Sequence, residues 1–314
     1  MIRLRSTAPA GVVGAWLLSV TFLAGCAAAP QEPACNLAGI GRGEAGAEVR
    51  FGQGVLWRVE RPDAPPSHVF GTVHSRDPEL ARLAAPVAAQ LDAARSLAVE
   101  VVQTPTATQV HRRAIEIQDG DLERLIGSER MKAVERAGAR YGLPERRLRK
   151  LKPWALSVLF SLPPAEVRSL RPTLDRVLED SAAARGTPIH GLESIEEQIE
   201  LYDGLDLDRQ LALLDAALAE NWRIDCWWEQ VIKPAYLRRD AGALYALLTP
   251  QAMDGDDFLW RTLIVERNAR MVRRMRDRLL EGAALIAVGA AHLPGDLGIL
   301  NLLAQQGYEV ARVY

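Results

Sequence analysis

Ala283-Ala284-Leu285-Ile286-Ala287-Val288-Gly289-Ala290-Ala291-His292 carries the clearest strand signal in the chain. An almost wholly apolar run that ends in glycine is the pattern of a strand covered on both faces by helices, as strands of parallel sheets are. Beyond it the spacing predicts a helix from about Gly295 to Gln306, then Gly307 and a last strand from Tyr308 to Val313, so the chain is expected to close on a βαβ unit. His292 falls just past the strand, at the edge where open α/β sheets bind ligands.

The same frame occurs once more. Gly71-Thr72-Val73-His74 follows the short strand pattern His68-Val69-Phe70 and precedes a helical pattern. Glycine at such a point permits a tight turn and close backbone approach, and the histidine three residues later is free to point into the crevice. A single G-x-x-H is common by chance; two in equivalent strand-end settings, far apart in the chain, are a much stronger signal. His68 within a strand, His111 on a polar helix and His190 read as structural histidines.

Working outward, Val55–Val59 and His68–Phe70 form a hairpin across a Pro-rich turn. A helix is expected from about Pro78 to Ala94 and a strand at Leu97–Val102, an order that implies parallel pairing. Residues 106–186 are helical in pattern with Pro and Gly breaks and include the amphipathic stretch Glu145–Leu162. A short strand at Thr187–Gly191 follows, then helices over Ile195–Asp240 and Asp256–Glu281. The fold class is therefore α/β: a parallel or mixed sheet flanked by helices, with a large helical insertion.

The beginning of the chain reads differently. Arg3 and Arg5 precede an uncharged stretch from Gly11 to Ala24, shorter than the ~20 residues that span a bilayer, and Leu23-Ala24-Gly25-Cys26 matches the box of lipoprotein signal peptides. Residues 1–25 are expected to be a signal peptide, 26–48 a flexible tether rich in Ala, Gly and Pro, and 49–314 the α/β domain. The resemblance to bacterial lipoproteins implies a lipid on Cys26 that anchors the chain to a membrane in the cell envelope. Ala27 in the next position favours the periplasmic face of the outer membrane. Cys35 and Cys226 then remain for one disulfide in an oxidising compartment. A net charge of -2 leaves no basic excess that would suggest nucleic acid. The run of arginines between Arg261 and Arg278 reads as a solvated helix face.

Five segments resemble the TraB/GumN family, in the family's order, from about residue 50 to the end. They are Trp57-Arg58-Val59; His68-Val69-Phe70-Gly71-Thr72-Val73-His74-Ser75; Glu100; Gly191-Leu192-Glu193-Ser194 with Gln198; and Arg267-Asn268 before Val288-Gly289-Ala290-Ala291-His292-Leu293-Pro294-Gly295. The resemblance extends to the Tiki metalloproteases and, more distantly, to erythromycin esterase and ChaN-like proteins. It implies a parallel sheet flanked by helices and a metal-dependent hydrolase site.

The residues themselves suit that chemistry. Imidazoles from His74 and His292 with one carboxylate make a ligand set for a divalent ion with open positions. Glu100 and Glu193 compete for the ligand and general-base roles; Glu100 is favoured as the catalytic or ligand carboxylate, with Glu193 in support. Arg267 is read as orienting a carboxylate or stabilising an oxyanion, with Asn268 as its polar partner. Ser75 and Ser194 lie outside any G-x-S-x-G elbow, so a serine nucleophile has little support. The aromatic residues Trp222, Trp227, Trp228 and Trp260 either line a peptide groove or, as is usual for aromatic residues on helices, serve the core, and the pocket is expected to be polar and open. Two functions follow: a lipid-anchored, peptidase-like hydrolase acting on a peptide, or a lipoprotein that holds a peptide, a haem or a metal without turnover.

Overall fold

The computed structural model describes residues 49–249 and 257–314. The expected signal peptide, Cys26, the tether and Cys35 lie outside the described residues. Cys226 is disulfide-bonded.

The chain opens with β1 (Leu56–Arg61) and β2 (Ala64–Thr72), the expected hairpin, with Leu56 opposite Phe70 and Arg58 opposite His68. Helix α1 (Ala85–Ala93) leads to β3 (Ser96–Val99). The insertion follows, ending in α2 (Leu174–Ala184), and then β4 (Ile189–Gly191) and α3 (Ile195–Asp203). Helix α4 (Glu266–Glu281), β5 (Ala284–Gly289), α5 (Ile299–Gln305) and β6 (Glu309–Arg312) complete the chain.

The six strands form one mixed sheet in the order β4-β3-β5-β2-β1-β6. β5 lies between β2 and β3 and is parallel to both, while β3 is parallel to β4. β6 does not lie beside β5; it pairs antiparallel with β1 at the far edge, so two strands separate the halves of the last β-α-β segment. A crossover helix dictates direction and hand, not how many strands it passes over.

Side chains alternate across the sheet as a strand's two-residue period requires. Leu285 and Ala287 of β5 join Leu97, Val99, Leu174 and Leu178 on one face. Ala284, Ile286 and Val288 join Met271, Met275 and Leu300 on the other. The insertion has a separate core around Leu122, Met131, Leu156 and Phe160, which Leu214 of the later helix Leu207–Glu220 joins. Its stretch from Glu145 is two helices, Glu145–Leu148 and Pro153–Phe160. The break falls where proline forces the preceding Lys152 out of the helical region, to ψ 153°. The stretches read as helical over Ile195–Asp240 and Asp256–Glu281 include π-helical turns at Trp228–Ile232 and Arg261–Val265. Among the described residues no helix is long and apolar enough to cross a membrane.

Candidate functional site

Strand register brings the two histidine loops together. Gly71 is opposite Val288 and Thr72 opposite Gly289, so the parallel strands β2 and β5 end at one level and each releases its histidine loop at the same sheet edge. β3 ends beside them, with Val99 opposite Ala287, and Glu100 follows immediately. β4 completes the row: Val99 is opposite Gly191, and the Glu193 N–H donates to the Glu100 carbonyl at 2.7 Å. His74, Glu100, Arg267 and His292 all line one cavity of about 550 Å³.

The glycines of the two motifs serve close approach, not left-handed backbone, because neither has a positive φ. A Cβ on Gly71 would stand 2.9 Å from Ala290 Cα and 2.8 Å from Leu293 Cδ1. A Cβ on Gly289 would meet Glu100 Oε1 at 3.3 Å. Tyr236 also ties down the end of β2, donating its hydroxyl to the Gly71 carbonyl at 2.9 Å.

Each histidine is anchored through Nδ1. That of His74 lies 2.8 Å from Asp175 Oδ2 on α2, while Thr72 donates its hydroxyl to Asp175 Oδ1 at 2.8 Å. That of His292 lies 2.7 Å from Asn268 Oδ1 on α4. An oxygen acceptor at Nδ1 holds a proton on that nitrogen, so that in the neutral ring Nε2 is the lone-pair nitrogen. Nε2 of His74 makes no hydrogen bond among the described residues; that of His292 faces Arg267 Nη1 at 3.2 Å.

Arg267 is the electrostatic centre. It ion-pairs with Glu100 Oε2 at 2.5 Å and with Glu193 Oε2 at 2.7 Å, and all three side chains are enclosed. Gln198 donates to both carboxylates at 3.3 Å, and the Gly289 N–H donates to Glu100 Oε1 at 2.6 Å. Burial pushes the Glu100 carboxyl up, but Arg267, then His292 and His74, outweigh it and hold it well below the usual carboxylate range. Asp175 raises His74 to about 9. Burial lowers His292 to about 4, against the pull of Glu100.

The donor types fit a divalent ion: two imidazoles with Nδ1 already anchored, and Glu100 4.0 Å from His292 Nε2. Among the described residues no three His, Cys, Asp or Glu side chains stand together as a ready metal-holding group. The Arg267 guanidinium occupies the space where Glu100 and His292 face each other.

Of the residues named from sequence, His74, His292, Glu100, Glu193, Arg267 and Asn268 converge here. Asp175 was missed, and nothing in the helical pattern around it marks it out. His190 sits on β4 beside Arg278, outside the group, whereas His111 lines the cavity wall. The tryptophans divide: Trp228 belongs to the core and Trp222 is exposed, but Trp227 and Trp260 line the cavity, joined by Trp154. The cavity is therefore mostly apolar above a polar floor, not polar throughout. Among the arginines from Arg261 to Arg278, Arg267 is largely enclosed, and the more exposed Arg274 pairs with Glu197 at 2.6 Å.

The TraB/PrgY/gumN family model matches residues 55–312. Metalloprotease TIKI2 of Danio rerio is 27% identical over 194 residues, 52% of this chain and 36% of that protein. Metalloprotease TIKI1 of Homo sapiens is 28% identical over 189 residues, 52% of this chain and 37% of its own length. The chain thus spans little more than a third of the curated relatives it matches. No solved structure matches it significantly. Because the family match runs from the start of the first strand to the end of the last, it takes in every element that builds the site, and the chain belongs to the TraB/PrgY/gumN family.

Proposed function

We propose that this chain is a peptidase-like hydrolase that works with a divalent metal ion held by His74, His292 and Glu100. The observation that carries the reading is the pair of Nδ1 anchors, Asp175 on His74 and Asn268 on His292, each within 2.8 Å. This is the outer arrangement that fixes metal-ligating histidines elsewhere. A bound ion would supply Lewis acidity and an acidified water.

The protein's own groups divide the remaining work. Arg267, held by its ion pair with Glu193, would supply a largely enclosed positive charge to an oxygen that gains charge in the reaction. Glu100, kept ionised by Arg267, is better suited to be a ligand than a base in this arrangement, since a strongly acidic carboxyl takes up a proton poorly. The names of the metalloprotease relatives support the same class of reaction. The test is cleavage of a peptide library by the purified chain with added divalent ions. Turnover that disappears on chelation and returns with metal supports the reading; turnover indifferent to chelators, or none with any ion, contradicts it.

The proposed location is the cell envelope, through a lipid on Cys26. Cys26→Ser should leave the chain unprocessed or released from membranes in fractionation, and an unchanged membrane-bound mature form would contradict the anchor.

A further inference from the structure

The cavity above the histidines is far larger than a water and an ion require. Its volume of about 550 Å³ is that of a site for a ligand-sized group. Its walls come from several helices: Trp154 and Val158 from the insertion, Ile199 from α3, and Trp227, Trp260 and Ile264 from the interrupted helices. Trp227 and Trp260 each stand immediately before a π-helical turn, Trp228–Ile232 and Arg261–Val265. Such turns, rare in general, recur at functional sites, and here two of them meet one cavity.

The charges in the lining are already matched. Arg267 pairs with Glu100 and Glu193, and His74 with Asp175. A ligand carboxylate, phosphate or ammonium in the upper chamber would therefore lose water without meeting an unpaired charge of opposite sign among the described lining residues, the indole N–H of Trp260 and Nε2 of His74 being the polar groups left to it, which is costly. An uncharged apolar group gains wherever it covers the indoles and aliphatic side chains.

We propose that this chamber holds a large uncharged side chain of a peptide, aromatic or branched aliphatic, and so sets the bond that is cut beside the histidines. The bond that is cut rests on the hydrolase reading; the group that is held rests on the cavity alone.

Two measurements on the full chain test this. In the first, with a divalent ion present, kcat/KM is compared for peptides identical except for one residue, Phe, Leu, Ala, Lys or Glu. Phe and Leu should exceed Ala by about 10²-fold, since single methylenes in such pockets discriminate by about 10 to 200-fold, and Lys and Glu should be poorer still. Equal rates across the series would overturn the proposal while leaving the hydrolase reading intact. In the second, the neutral dye N-phenyl-1-naphthylamine is titrated into wild type, Ile199→Trp and Val158→Trp, with folding checked by circular dichroism. One saturable site per chain, displaced by the Phe peptide and weakened at least about tenfold by a filled chamber, is expected. Val158 is 39% exposed and lies at the cavity wall, so its replacement guards against a misfolded Ile199 variant. Absence of a saturable site, binding unaffected by both variants, or displacement by a fatty-acid amide but not by the peptide would overturn it. Dye and peptide binding without cleavage under any ion would uphold the chamber and reject the hydrolase reading.

Discussion

Asp175 and Asn268 do for the two histidines what the strand ends alone cannot: they choose the tautomer. Asp175→Asn keeps the shape but weakens the hold on His74, and should lower metal affinity by about 10 to 100-fold, measured by competition with a chelating indicator; unchanged affinity would remove Asp175 from the site. The metal-free rings should also titrate far apart, since His74 is raised to about 9 by Asp175 while burial lowers His292 to about 4 from an ordinary 6.5. The raised group stabilises the fold fully below 6.5 and loses that contribution as pH climbs through about 9; the lowered one contributes above 6.5 and loses it as pH falls toward about 4. Ring-proton NMR of the metal-free chain resolves the two, and coincident titration near 6.5 would contradict the arrangement. His74 and His292 were legible because their motifs repeat, and Glu100 because it ends an apolar strand. Asp175 was not, because its meaning depends on a contact 101 residues away in sequence, and within its own helix it is one acidic residue among several.

Strands β2 and β5 carry the site because they end at one level, and Gly71 is where that alignment is tightest. Gly71→Ala would drive a methyl into the Ala290 backbone at 2.9 Å, and overpacking of that kind costs about 1–3 kcal/mol. Gly289→Ala, whose nearest neighbour is a side-chain oxygen at 3.3 Å, should cost less. Urea unfolding of both variants orders them, and the reverse order would show that the strand ends are looser than described. The apolar run before His292 was enough to assign β5, and its lack of alternation correctly implied cover on both faces. The place of β6 was illegible, because strand and helix patterns record local periodicity and not which strands lie between. Nor do the π-helical turns have a periodicity of their own to read, so spacing alone did not separate Trp227 and Trp260 as groove lining from core.

For the whole molecule, the sheet, flanking helices and insertion are separate packing problems that meet at one edge. The sheet's two cores set the strand ends, while Asp175 from the insertion's last helix and Arg267 from α4 fill the space between them. Arg267 is where the cost of this arrangement concentrates. Arg267→Met would leave Glu100 and Glu193 buried without their cation, a loss of about 3–5 kcal/mol, seen as a lower midpoint of chemical denaturation; an unchanged midpoint would mean the pair is not enclosed as described. The existence of an insertion was readable from the helical patterns with Pro and Gly breaks. That it also walls a mostly apolar chamber was not, because each of its apolar residues serves equally well, in sequence, as core.

Sharing of one divalent ion by His74 and His292 is tested by metal content and turnover measured on the same samples. Wild type, His74→Ala and His292→Ala are reconstituted with a divalent ion, freed of excess, and assayed for bound metal per chain and for peptide cleavage. Wild type should hold one ion and turn over fully, and each variant should lose both, because a site missing one of three ligands is incomplete. Full metal and full turnover in both histidine variants would contradict it.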